Sequence, residues 1–137
     1  MPLFNIFDIA GSGMSAQSVR LNTTASNLAN ADSVSTTASD AYKARHPVFK
    51  AIQSALNKSQ PGSGVKVLGI MQSKDKAQAR YEPGNPLANA DGYVYESNVN
   101  VVEEMADMIS ASRSYQNNVE VMNTSKDLML ATLKLGQ

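Results

Sequence analysis

The chain has 137 residues, 42% of them hydrophobic, with twelve Lys and Arg balancing twelve Asp and Glu. That length holds one ordinary domain, or a small domain with extended elements. A formal charge of zero excludes the basic excess that draws nucleic acid or an anionic membrane, and the absence of cysteine excludes disulfides, thiolate metal sites and a cysteine nucleophile.

The start, Met1 to Asp8, has no positively charged region, and Asn5 and Asp8 break the apolar run of a cleavable signal. An unprocessed N-terminus is the expectation. No apolar stretch reaches the roughly 20 residues that cross a bilayer, so no direct membrane insertion is expected. From Leu3 to Leu28, residues recur at Leu3, Phe7, Ala10, Met14, Gln17, Leu21, Thr24 and Leu28 in alternating steps of four and three, the spacing of one helix face. Asp8 and Arg20 are the only charges in this stretch, and Gly11 and Gly13 each weaken a helix by about 1 kcal/mol against alanine. Such a helix is marginal without a partner. The run Gly11-Ser12-Gly13 is too short for a dinucleotide fingerprint and lacks the setting of a nucleophile elbow, so it reads as small residues allowing a close helix approach.

Between Asp32 and Ser97 the character changes. Ser33 to Ser39 suits a loop, and Pro61-Gly62-Ser63-Gly64 is a turn signal. Gly64 to Met71 reads as a strand and Tyr93 to Tyr95 as another, with Glu82-Pro83-Gly84-Asn85-Pro86 and Ala90-Asp91-Gly92 punctuating the chain between them. Lys43 to Ile52 fits either a strand around Val48-Phe49 or a short helix running on to Leu56, and periodicity does not decide between them.

The strongest helical signal begins at Asn100, a capping residue, with Glu103 three positions on and Glu103, Glu104 and Asp107 at the positive end of the helix dipole. Those carboxylates are explained by the dipole and need no metal. A stripe follows through Val101, Met105, Met108, Ser112, Tyr115, Val119, Met122, Met129 and Leu133, interrupted by Lys126 and widened by Val102, Ile109 and Leu130. Lys134 and Gly136 mark its end. At 1.5 Å per residue the second helix is on the order of 50 Å long and the first about 40 Å, too long for a compact globule of this size.

Chemistry is sparsely represented. His46, before Pro47 in the irregular centre, is the only histidine, and one imidazole makes no triad. No catalytic residue, metal ligand or cofactor site is expected. The methionines at 105, 108, 122 and 129 suit either a helix-packing core or an adaptable groove.

The segments Leu3-Phe4-Asn5-Ile6-Phe7-Asp8-Ile9-Ala10-Gly11-Ser12-Gly13-Met14, Arg20-Leu21-Asn22 and Ala25-Ser26-Asn27-Leu28-Ala29-Asn30-Ala31 resemble the N-terminus of bacterial flagellar axial proteins of the rod and hook. More specific are Tyr81-Glu82-Pro83-Gly84-Asn85-Pro86, Gly92-Tyr93-Val94, Asn98-Val99-Asn100, Ala111-Ser112-Arg113-Ser114-Tyr115-Gln116 and the ending Leu133-Lys134-Leu135-Gly136-Gln137. Together they resemble the basal-body rod protein family, closest to a proximal rod subunit. The resemblance is weak from Ser33 to about Arg80. Asn85 stands where histidine is frequent, and Ser97 where proline is frequent, which predicts a looser approach to the C-terminal helix.

The resemblance implies a mainly α protein with a small β-rich insertion, its two long terminal helices pairing as an antiparallel, coiled-coil-like hairpin: residues 1–31 and 98–137 forming the inner rod domain and 32–97 a central β/loop domain packing outward. It implies a structural, non-enzymatic subunit of the basal-body rod, a helical tube that carries motor torque across the periplasm. The implied partners are copies of itself, other flagellar rod proteins and, during secretion, the flagellar type III export apparatus. The residues expected at assembly interfaces are Leu3, Phe7, Met14, Leu21, Asn27, Leu28, Asn30, Met105, Ile109, Tyr115, Val119, Met122, Met129 and Leu133, with Asn27 and Asn30 ending the first helix through local hydrogen bonds. The competing reading is a soluble helical export chaperone or adaptor that holds flagellar clients on its methionine stripe.

Overall fold

A computed structural model describes residues 2–52 and 62–135. The first helix, α1, spans Pro2–Ala29, and the last, α2, spans Val101–Leu135. Both follow the periodic patterns in the sequence. Proline at the first helical position loses no hydrogen bond there. At the start of α2 the Asn100 side-chain oxygen accepts from the N–H of Val102 at 3.1 Å and of Glu103 at 3.4 Å, as a capping residue should.

Between the helices lie β1 (Val34–Ser35), β2 (Arg45–Ile52), β3 (Gly64–Gln72), β4 (Gln78–Tyr81) and β5 (Tyr93–Glu96). They form two antiparallel sheets, one ordered β1-β5-β4 and the other β2-β3. The ambiguous stretch before Ile52 is therefore a strand, and its imagined helical continuation to Leu56 falls outside the described residues. The β2-β3 register shifts between Val48 and Phe49, where Leu68 is the extra residue on β3. That bulge re-phases the strand: Val67 faces inward, whereas Leu68 is 60% exposed.

The β2-β3 hairpin lies along α1. Near one end the Asn27 side chain bonds Arg45, and farther along the Val65 N–H donates to Ser12 Oγ at 3.0 Å. The two spacings match: from Asn27 to Ser12 is about 22 Å of helix, and from Arg45 to Ala51, the partner of Val65, about 20 Å of strand. α1, expected to be marginal, thus finds partners within its own chain.

The second sheet anchors the approach to α2. Buried Ser97, set where a proline was the expected residue, donates its N–H to Ser33 O at 3.2 Å and its hydroxyl to Ala31 O at 2.6 Å. Proline could make neither bond. The looser approach is corrected accordingly: the departure adds ties. Asn98 extends them, accepting from Ala44 N–H and donating to Asp75 O.

The turn between β4 and β5 is built from its motif residues. Gly92 has φ +80°, and a Cβ there would stand 2.9 Å from the Tyr81 ring, which meets the Tyr93 ring edge-on at 5.2 Å. Glu82 accepts from Asn85 at 3.0 Å and from Arg80 at 2.9 Å, while Arg80 also pairs with Glu96. The Asn85 hydrogen bond first, and Arg80 second, hold the Glu82 carboxyl below its ordinary value of 4.5. A lowered folded value means that this contribution to stability is present above pH 4.5 and is lost as pH falls through the lowered value.

Two measurements check this account. Asn85→Ala should raise the Glu82 titration midpoint toward 4.5 in a side-chain carbon NMR titration, and an unmoved midpoint would show the bond to be idle. In chemical denaturation, Gly92→Ala should cost about 1–3 kcal/mol from strain and crowding, whereas Gly11→Ala, mid-helix with open space around it, should gain about 0.5–1 kcal/mol.

A candidate assembly surface on the helix pair

The helices run antiparallel: Asn27 meets Glu104, Arg20 pairs with Asp107 at 2.6 Å, and Gly13 abuts Asn118. Around α1 three neighbouring rows have three different surroundings. Ser12 and Val19 face the hairpin. One residue on, about 100° around the helix, Gly13, Arg20 and Asn27 face α2. A further residue on, about another 100° around the helix, Met14, Leu21 and Leu28 lie on the side of the α2 seam away from the hairpin and are half-buried.

α2 repeats the arrangement. Glu104, Ala111, Asn118 and Ser125 form the row toward α1, and three of these four are buried. Met105, Ser112 and Val119 follow one residue on. Because the helices are antiparallel, the same rotation carries both outer rows to one side of the pair, away from the hairpin.

The seam itself is small and polar. Its buried members include Ala10, Ala16, Thr24, Asn27, Glu104, Ala111 and Ser125. Buried hydroxyls return their hydrogen bonds to their own helices: Thr23 to Val19 O and Ser125 to Val121 O, both four residues back. The close-approach reading fits Gly13, where a Cβ would stand 3.0 Å from the Asn118 side chain. It does not extend to Gly11, which has open space around it.

Asn27 ties this seam to the rest. Its Nδ2 donates to Glu104 Oε1 and to Arg45 O, both at 2.8 Å, and its Oδ1 accepts from Tyr42 OH and Arg45 N–H, both at 3.0 Å. Two donors and two acceptors are all that an amide side chain has, and all are engaged at a site with no solvent exposure. This corrects the sequence expectation twice. Asn27 bonds across the fold rather than locally, and, being enclosed, it offers no surface to a neighbouring subunit. Asn30 does bond locally, donating to Ser26 O at 2.8 Å. Among the described residues two buried side-chain oxygens have no hydrogen bond, Glu104 Oε2 and Gln17 Oε1.

The other expected interface residues divide by exposure. Phe7, Met14, Leu21, Leu28, Val119, Met122 and Met129 are half-buried. Met105, Ile109, Tyr115 and Leu133 are exposed, Leu133 by 64%. Leu3 lies on α1, where its side chain falls outside the described set. The sequence reading missed Val121 and Leu128 on α2, and Leu68 and Met71 on the hairpin, all about half exposed or more. The hairpin pair was findable in principle, because the switch from Val65-Val67 to Leu68-Ile70 breaks the two-residue alternation. His46 is exposed on β2 opposite Met71.

The network makes a direct prediction. Asn27→Ala leaves Tyr42 OH, both backbone groups of Arg45 and Glu104 without their partner, and should cost about 2–5 kcal/mol in urea denaturation. Tyr42→Phe should cost only about 1 kcal/mol. Equal, small losses in the two variants would show that Asn27 is not the tie described.

Two family descriptions match the segments that meet here. Residues 7–35 match the flagella basal body rod protein model, and residues 90–135 match the C-terminal model of the flagellar basal body rod FlgEFG proteins. Far apart in sequence, they supply α1 with α2 and also β1 with β5. The chain is 54% identical to flagellar basal-body rod protein FlgC of Salmonella typhimurium over 137 residues, and 55% identical to that of Yersinia enterocolitica over 137 residues. It is 54% identical to the Escherichia coli O157:H7 protein over 140 aligned positions, and all three matches cover the whole of both chains. These relatives are named as rod components, which leaves the chaperone or adaptor reading unsupported. The matches at both ends and the identity along the whole length agree: the chain belongs to the flagellar basal-body rod protein family, as a structural subunit and not an enzyme.

Proposed function

We propose that this chain is a proximal-rod subunit whose helix pair lines the inner wall of a helical tube, packing with copies of itself and with other rod proteins so that torque passes from subunit to subunit. One observation carries the reading. The helices bury small and polar residues against each other and leave their large apolar rows, Met14-Leu21-Leu28 and Met105-Val119 with Met122 and Met129 beside them, on one common side. An apolar face of that kind is completed by protein.

Coiled-coil-like packing belongs, in this reading, to contacts between subunits. Within the chain the seam is too small and polar for knobs-into-holes packing of large side chains. Tight packing between neighbours is also what torque requires, since dispersion is collectively large only at close contact. Passage through the flagellar type III export apparatus without signal cleavage, and a position in the rod across the periplasm, complete the proposal. Support comes from the named relatives, which are rod components.

Met122→Asp tests the reading, because it would bury a carboxylate without a partner at a cost of several kcal/mol. A strain carrying only that variant should lack assembled rods and should not swim. Normal motility would count heavily against the proposal. His46→Ala should swim normally and yield intact basal bodies, since the imidazole has no task in a structural subunit.

A further inference from the structure

The β2-β3 hairpin is fastened to α1 differently at its two ends. At the root the tie is the enclosed Asn27 amide, which bonds both backbone groups of Arg45. Bonds from Ser73 N–H to Ala44 O and from Ala44 N–H to the Asn98 side chain brace the same corner. At the tip the tie is Ser12. Its hydroxyl donates to Ile9 O at 2.8 Å and accepts from the Val65 N–H at 3.0 Å, so one oxygen joins a turn of the helix to the strand.

Between these ties the contact loosens. An open cleft of about 300 Å³ lies between Val19, Asn22, Thr23 and Ser26 of α1 and Arg45 and Ile70 of the hairpin. Ile70, on the hairpin wall of that cleft, remains 53% exposed. A strand pair fastened at both ends over a gap is a strap rather than a packed layer.

The tip lands on the weakest part of α1. Ser12 stands between the two glycines of that helix, Gly11 and Gly13, and the first turn has no acidic side chain to complement the helix dipole. On its other side this segment meets α2 through small residues, Ala10 and Gly13, which bury little apolar area. The strand comes close because it too is glycine there. A Cβ on Gly64 would stand 3.1 Å from Ser12 Oγ, and one on Gly62, at φ +139°, would stand 2.7 Å from Ile9 Cδ1. Ile9 and Ser12 share a face only when the turn between them is helical, so closure of the tip and order in that turn support each other.

We infer that the β2-β3 hairpin is a strap hinged at Asn27 and latched at Ser12, and that its tip opens together with residues 5–13 of α1 as one local unit while the rest of the fold stays closed. The inference goes beyond the rod reading and does not depend on it, since it concerns a motion within a single chain. Closed, the strap covers the Ile9-Ser12-Val19 row of α1; lifted, it uncovers that row. A unit with few buried apolar contacts opens at a lower cost than the whole domain.

Amide exchange in the purified full chain, followed residue by residue by NMR, tests it. In the wild type Val65 and the amides from Ile9 to Gly13 should exchange at one common protection factor, about tenfold or more below that of Asn27 and Ala111 in the seam. Ser12→Ala separates the latch from helix propensity. Alanine is the better helix former, so without a latch it should raise protection from Ile9 to Gly13. With the latch lost, protection there and at Val65 should fall together by about fivefold to tenfold, leaving Asn27 and Ala111 unchanged. Loss at Val65 alone, with α1 unchanged or better protected, would overturn the inference. Gly64→Ala should act as Ser12→Ala does, whereas Gly69→Ala, with open space around it, should leave α1 as it was; equal effects of the two would count against a latch. A covalent latch supplies the converse. The chain has no cysteine, and a Cβ at Gly64 would lie 3.7 Å from that of Ser12, within the range a disulfide spans. Ser12→Cys with Gly64→Cys, oxidised with oxidised glutathione, should raise protection from Ile9 to Gly13 about tenfold above wild type, and dithiothreitol should reverse the gain. Failure of the pair to oxidise would place the tip away from Ser12 and overturn the inference, as would an oxidised protein whose α1 exchanges like wild type.

Discussion

The structure depends on one amide. Asn27 sits with no solvent exposure where α1, the start of β2 and the start of α2 converge, and every hydrogen-bonding group on its side chain is engaged. Buried polar groups are costly when unpaired and selective when fully paired, so the arrangement stabilises little in gross terms but tolerates few alternatives. It sets which turn of α2 faces which turn of α1. It also sets where the hairpin begins its course along α1, and the match of helix and strand lengths places Ser12 opposite Val65. A slip of α2 would strand Glu104, and a slip of the hairpin would strand both backbone groups of Arg45.

That alignment explains a composition that otherwise looks unsuited to a stable helix pair. A seam of alanine, glycine, serine and threonine buries little apolar area, so it holds only if the backbones come close and each hydroxyl finds a carbonyl. The close approach is met at Gly13 against Asn118, and the buried Ser125 hydroxyl returns to Val121 O. Large apolar side chains are displaced to the flank by the same geometry. The subunit is therefore internally determined in its register yet incomplete in its burial. In the proposed reading this division suits a rod component: a fixed shape for each copy, and apolar surface left for its neighbours.

Legibility in the sequence followed the range of the interactions. The bounds of both helices, the Asn100 cap and the strand Gly64–Met71 were readable because each rests on periodicity or on partners a few residues away. β4 was not, because the alternation of Gln78-Ala79-Arg80-Tyr81 is too short to mark a strand, and it is one only through its pairing with β5. The stretch from Arg45 to Ile52 was undecided for a related reason: a bulge breaks its partner's phase, and helix and strand patterns fit equally well. Of the candidate surface, the apolar rows were visible by spacing. Which neighbour each row faces was not, since spacing defines a face but not what lies against it.

Asn27 shows where the boundary lies. Sequence alone determined that this chain has two sparsely charged amphipathic helices around a β-rich centre, and the residue motifs placed it among the flagellar axial proteins. Those properties follow from local propensity, periodicity and shared residues, all of which are written along the chain. Only the tertiary structure decided that Asn27 is an internal tie rather than a helix stop, and that the apolar rows lie beside the seam rather than in it. It also decided that the hairpin lies along α1 with its lysines outward. Each of these depends on groups as far apart as Asn27 and Glu104 meeting in space, and a one-dimensional pattern carries no record of such meetings.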